Sequence, residues 1–149
     1  MKKQISRTLL GFFAALVLTA AANAQTSRAV EVQVPFDFVA GQRQLPAGRY
    51  TVRRVRVDSE SALLIRGVGG GAAAVVLTNR GGENPSGASL TFRQHGERYF
   101  LAEVSMPGTA SVRELPKTGG ERAAEREAAA RSKPGTAEPK AVTITGSLR

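Results

Sequence analysis

From Val30 to Phe38 the chain alternates with a period of two: Val30, Val32, Val34, Phe36 and Phe38 are apolar, and Glu31, Gln33, Pro35 and Asp37 lie between them. Successive side chains of a strand point to opposite faces, so this pattern makes a half-buried strand and cannot sit on one face of a helix. Further strand-like runs follow at 49–58, 62–66, 73–78, 89–95, 98–104 and 110–115. The separators are glycine-rich or turn-forming: 67–71, 79–87, Gly96-Glu97 and Pro107-Gly108. Seven short strands with turns roughly every 8 to 12 residues predict an all-β domain, an antiparallel β-sandwich or a small barrel.

Local chemistry refines the outline. Pro35 cannot donate to a ladder, which places the first strand at an edge, at least locally. Leu45-Pro46-Ala47-Gly48 has proline second and glycine fourth, the arrangement of a type I turn. The next strand has a parity conflict, because Tyr50 and Val52 share one face while Val55 and Val57 fall on the other. A β-bulge at Arg53-Arg54 would re-phase the strand, keep all four apolar residues inward and turn Arg53, Arg54 and Arg56 to water. His95-Gly96-Glu97-Arg98 reads as a tight hairpin.

The two ends differ in composition from the middle. Residues 1–8 carry Lys2, Lys3 and Arg7, residues 9–22 (LLGFFAALVLTAAA) carry no charge, and Ala22-Asn23-Ala24 follows. A basic start, a short apolar stretch and an A-x-A site predict a secretory signal peptide over residues 1–24. Its strongly apolar part falls well short of the ~20 residues that span a bilayer. Cleavage would lower the net charge from +9 to +6.

Residues 25–115 then form the β domain, 116–140 a linker with a short charged helix, and 141–149 a tail that either adds a short strand or stays disordered. The helix-forming segment 121–132 (ERAAEREAAARS) has no large apolar residue, which predicts a mobile or weakly docked element.

Cysteine is absent and there is one histidine, which excludes disulfides, cysteine-type zinc sites, thiol catalysis and iron–sulfur clusters. Leu115-Pro116-Lys117-Thr118-Gly119 matches the LPxTG sorting sequence, but no apolar span follows it, so it reads as a strand end entering a linker. Gly67-Val68-Gly69-Gly70-Gly71-Ala72 fits G-x-G-x-x-G/A loosely. The run Ala73-Ala74-Val75-Val76-Leu77 after it is too short and too β-prone for the helix that a dinucleotide site requires, so it reads as a hairpin loop.

No catalytic constellation is assembled by spacing. His95, the single imidazole, abuts a glycine turn and reads as a surface residue at a strand end. Asp37, Asp58, Glu97 and Glu103 are candidates for a carboxylate pair only if the fold brings them together. The expectation is therefore a protein that is not an enzyme and has no cofactor, catalytic or metal-binding residues.

Arg53, Arg54 and Arg56 are the most suggestive local feature. From Gln25 to Arg113 there are eleven arginines and no lysine, and the planar fork of arginine suits phosphate, sulfate and carboxylate groups. These three are the candidate anion-binding residues, set against the plainer reading of a solvated sheet face. Export makes nucleic acid a poor partner despite the basic charge.

Val34-Pro35-Phe36-Asp37-Phe38, Leu45-Pro46-Ala47-Gly48-Arg49-Tyr50-Thr51-Val52, Gly96-Glu97-Arg98-Tyr99-Phe100-Leu101 and Arg113-Glu114-Leu115-Pro116 occur in this order. As a set they resemble a family of small exported bacterial all-β proteins of unknown function, over roughly residues 30–126. The resemblance implies a compact β domain and export, and supplies no catalytic or ligand residues.

The sequence thus predicts an exported β module, periplasmic or extracellular, with no transmembrane span after signal cleavage. Its expected partners are anionic envelope polymer or lipid head groups, met by an arginine-rich face. The alternative is an accessory subunit that pairs with another exported protein through an exposed strand edge, and an enzyme with an unrecognised site comes third. Strands of roughly five to seven residues are too short for an outer-membrane barrel.

Overall fold

The computed structural model of the protein describes residues 29–56, 58–84, 87–131 and 140–148; the signal-peptide reading of residues 1–24 and the expectation for Val57 lie outside them. The described strands are β1 (Val30–Val34), β2 (Phe38–Ala40), β3 (Arg43–Leu45), β4 (Gly48–Arg56), β5 (Ser59–Gly67) and β6 (Ala73–Leu77). They continue with β7 (Asn79–Glu83), β8 (Ser89–His95), β9 (Arg98–Ser105) and β10 (Ser111–Glu114). A helix, α1 (Gly119–Arg131), precedes β11 (Lys140–Thr145) and β12 (Ser147–Leu148).

Two sheets face each other. The first has the order β12-β1-β4-β5-β6, and the second β11-β8-β9-β10-β7, with the β2–β3 hairpin added beside β9. Neither closes on itself, so the fold is a β-sandwich and the barrel alternative falls away. Pairing is antiparallel except between β2 and β9. Alternate residues of both sheets meet in one core: Val30, Val32, Val34, Tyr50, Val52, Leu63 and Ile65 from the first, Phe38, Leu45, Leu90, Phe92, Leu101 and Val104 from the second. Phe38 joins the layers, with its ring edge-on to Tyr50 at 5.2 Å and to Phe92 at 5.3 Å.

The run from Val30 to Phe38 is two strands in two sheets rather than one. The proline interrupts the ladder where the chain crosses over. Beyond the crossing Phe36 stacks on Tyr99 at 3.9 Å, and the Asp37 carboxylate accepts the Ala47 N–H at 2.7 Å. Along β1, β4 pairs with all five residues, whereas β12 reaches only Val30 and Glu31. Among the described residues the strand end next to Pro35 thus has a free side, the local edge expected from the proline.

The parity conflict in β4 is resolved differently from the expected bulge. Arg54 pairs with Leu63 and Arg56 with Ser59, so the extra residues lie on β5, between Ser59 and Leu63. β4 keeps plain alternation through Arg54. Tyr50 and Val52 are buried, and Val55 is 44% exposed instead of turned inward. An irregularity confined to the partner strand leaves the alternation of β4 intact, so Arg54 follows Tyr50 and Val52 on the inner side.

Two strands sit where loops were expected. β3 is a short hairpin partner of β2. β7, Asn79-Arg80-Gly81-Gly82-Glu83, pairs with β10 without any apolar alternation to reveal it. A side chain at Gly81 would start 2.6 Å from Glu114 Cγ, so the glycine lets the Glu114 side chain pass.

The C-terminal part is docked, which corrects the expectation of a loose tail. β11 pairs with β8 along six residues and β12 with β1, so this segment laces the two sheets together. Helix α1 packs on β8. Its small apolar face suffices because its anchor is ionic: Glu121, 2% exposed, lies against Arg93 and His95. Thr118 caps the helix by accepting the Glu121 N–H at 3.2 Å. The Lys117 ammonium, 2.7 Å from Glu125, holds that carboxyl below its usual range. Among the described residues no helix is long and apolar enough to cross a membrane.

Candidate functional site

The three arginines singled out in the sequence do not form one face. Arg54 turns toward the second sheet and lies 3.3 Å from Glu60, which is also 3.6 Å from the buried Arg113. Arg113 in turn donates to the hydroxyl and carbonyl oxygens of Thr78, at 3.3 and 3.2 Å. Arg54 and Arg113 therefore share one carboxylate near the crossing from β6 to β7. Arg56 forms a two-pronged pair with Asp58 at 3.1 and 3.2 Å, and that hydrogen bonding holds the Asp58 carboxyl below its usual range. Arg53 alone of the three points outward without an ion pair among the described residues.

The register identifies what accompanies Arg53. Its cross-strand partner is Leu64, which is paired on its other side with Val75. Thr51 pairs with Arg66, and Arg66 with Ala73. Paired residues of adjacent strands project to the same side. The outer face of the first sheet thus presents Arg49, Arg53 and Arg66 beside Leu64, Val75 and Leu77. Glu31, on the same face, is 3.5 Å from Arg49.

The apolar part of this face is open. Val75 is 63% and Leu77 72% exposed. The large hydrophobic residues most exposed among the described ones are Val55, Val68, Val75, Leu77 and Leu148, and all five belong to this sheet or to its β5–β6 loop. The second sheet is treated differently, since α1 lies over part of its outer side, where His95 and Glu121 are buried beside a half-buried Arg93. Among the described residues, a helix lies over part of the second sheet's outer face and none lies over the first.

Arg66, Val75 and Leu77 were missed by sequence reasoning. Their signal was Ala73-Ala74-Val75-Val76-Leu77, apolar at both parities. Such a run normally marks a strand buried on both faces. Here the strand is at an edge, so Ala74 and Val76 are buried while Val75 and Leu77 face outward.

The remaining candidates take structural places. His95 is buried, 6% exposed, with Nε2 3.4 Å from Glu121 Oε1, so it is not the surface residue expected from its neighbouring glycine. Asp37, Asp58, Glu97 and Glu103 lie at the β1–β2 corner, the β4–β5 turn, the β8–β9 turn and on β9. Of the LPxTG-like residues, Leu115 is buried and Thr118 caps α1. The 67–71 segment is a hairpin loop, closed by the Gly67 N–H to Ala72 carbonyl bond at 2.8 Å. Among the described residues no three His, Asp or Glu side chains are grouped to hold a metal ion.

No family model, curated protein or solved structure matches the chain.

Proposed function

We propose that the chain is an exported, non-enzymatic β-sandwich module that rests on an anionic lipid surface through the outer face of its first sheet. The observation that carries this reading is the exposure of Val55, Val75 and Leu77 on one outer face, with Arg53 and Arg66 beside them and, among the described residues, without ion pairs. Val75 and Leu77 supply apolar area that gains from leaving water, at about 25 cal/mol per Å². Arginines near an anionic bilayer contribute about 1 kcal/mol each. Export is supported by the pattern of residues 1–24 and by the family resemblance, and it places the module where envelope lipids are within reach. A charged polymer would engage the arginines but leave Val75 and Leu77 in water, so lipid fits this face better. A contiguous apolar patch on an otherwise charged surface is the general mark of such a contact.

Co-sedimentation with vesicles tests the reading. Phosphatidylglycerol vesicles are expected to carry the protein down at low salt and phosphatidylcholine vesicles to leave it in solution. High salt weakens but does not abolish the binding, because only its ionic part is screened. Combining Arg53→Glu and Arg66→Glu removes the preference for anionic lipid, and Leu77→Ser removes the salt-resistant part. Failure to sediment with anionic vesicles at low salt, or binding unchanged by these substitutions, overturns the proposal.

A further inference from the structure

The edge of the first sheet holds a second feature, in its backbone rather than its side chains. The Thr78 N–H bonds the Ser61 carbonyl at 2.8 Å, and the Gly67 N–H bonds the Ala72 carbonyl at 2.8 Å. Between these bonds the β5–β6 register runs without a shift from Ala62↔Leu77 to Arg66↔Ala73. Antiparallel pairs alternate between hydrogen-bonded and open. The bonded pairs are therefore Leu63–Val76 and Ile65–Ala74. Ala73, Val75 and Leu77 direct their N–H and C=O groups away from β5, where no strand follows among the described residues.

Other borders of the two sheets carry devices that discourage pairing. β12 is two residues long, β3 carries Arg43, β7 carries Arg80 and Glu83, and β11 opens with Lys140. Short strands and charges are common protections of a sheet edge. β6 has none of these, and neither proline nor bulge. An open groove of about 600 Å³ runs along all five of its residues, bordered on the far side by Ala40 to Arg43 and at one end by Leu115 and Pro116.

We propose that β6 pairs with β6 of a second copy of this chain, antiparallel about a two-fold axis through Val75. The strand is complementary to itself. In that register Val75 faces the partner subunit's Val75, and Leu77 faces the partner subunit's Ala73, large against small. All three outward residues fall in hydrogen-bonded positions, so each strand's free donors meet the other's acceptors.

Charge selects the same arrangement. Arg66 neighbours Ala73, so the two-fold axis sends Arg66 and the partner subunit's Arg66 to opposite ends of the seam. No like charges oppose each other, and the two five-stranded sheets become one continuous sheet. An isologous contact of this kind closes after two copies. The inference rests on the β6 ladder and stands apart from the lipid reading.

Sedimentation equilibrium on protein purified from cells expressing the full chain tests it, with V75K, V75E and V75P alongside. Val75 is 63% exposed, so V75K and V75E leave the core intact. V75P deletes only an outward N–H and spares the β5–β6 ladder. The wild type is expected to show a dimer that dissociates on dilution, and each variant alone to show the monomer mass. Mixing V75K with V75E should restore the dimer, because the axis sets those two positions opposite each other. A wild type that stays monomeric at high concentration overturns the inference. So does a dimer that survives in both V75K and V75P, or a V75K–V75E mixture that stays monomeric.

Discussion

The Tyr50 hydroxyl donates a 2.6 Å hydrogen bond to the carbonyl oxygen of Pro46, four residues upstream. The bond closes the crossing from β3 in the second sheet to β4 in the first. This is the geometry of a tyrosine corner, found where a sandwich strand begins after a change of sheet. The Asp37 carboxylate, on the Ala47 N–H at 2.7 Å, secures the same crossing from the β1–β2 side. Two crossings adjacent in sequence are thus tied together, and between them they fix how β1 and β4 pair. That pairing determines which residues of β4 reach the outer face.

Replacing Tyr50 by Phe keeps the ring against Phe38 and removes only the bond to Pro46. The unfolding free energy is expected to fall by about 1 kcal/mol, read from urea denaturation. The pH dependence has a defined sign. Burial, and after it the Asp37 charge, raises the Tyr50 hydroxyl above its ordinary 10.0. The unfolded chain therefore loses this proton first, and stability declines as pH rises from the unfolded value through the folded one. Y50F should lack that part of the alkaline decline.

Glu121 is the point at which α1 holds to β8. Its carboxylate takes two hydrogen bonds from Arg93, and Arg93 also donates to the Leu115 carbonyl at 3.2 Å. Glu121→Ala leaves the Arg93 guanidinium half-buried without its anion. Breaking a buried pair from one side costs about 3 kcal/mol. Amide exchange along 119–131 should become fast while exchange in β8 and β9 stays slow. Helix protection unchanged from wild type would contradict this account of the docking.

Gly146 marks the second lacing of the sandwich, between β11 and β12. Its N–H bonds the Ala88 carbonyl at 2.8 Å, and an added Cβ would lie 2.8 Å from the Glu31 carbonyl oxygen. Gly146→Ala must push β12 away from β1. A loss of about 1 to 3 kcal/mol is expected from such overpacking, and thermal unfolding measures it. Gly69→Ala, at a position with open space around it, serves as the control.

Much of the fold was legible because β1 and β8 as far as Phe92 carry their burial in the side-chain period, and Gly96 and Pro107-Gly108 mark turns. β7 was not legible, since glycines at its centre hide any alternation and its place follows from Glu114 across the ladder. The docked helix was missed because its anchor is one ion pair, not an apolar stripe. The candidate face was half legible. Arg53 stood out, but grouping it with Arg54 and Arg56 assumed a bulge in β4, and the irregularity lies in β5. Which residues accompany Arg53 is decided by cross-strand register, which no single strand states.

In the proposed function the outer face of the first sheet meets lipid while the side of the molecule carrying α1 faces water. The chain has no cysteine, so single labelling sites can be introduced one at a time. Val55→Cys places an environment-sensitive fluorophore on the proposed contact face, away from the β6 seam. Ala129→Cys places one on the exposed side of α1. On adding phosphatidylglycerol vesicles, the label at position 55 should shift to the blue and lose access to an aqueous quencher, and the label at position 129 should do neither. A shift at position 129 with none at position 55, or no change at either, would contradict the account.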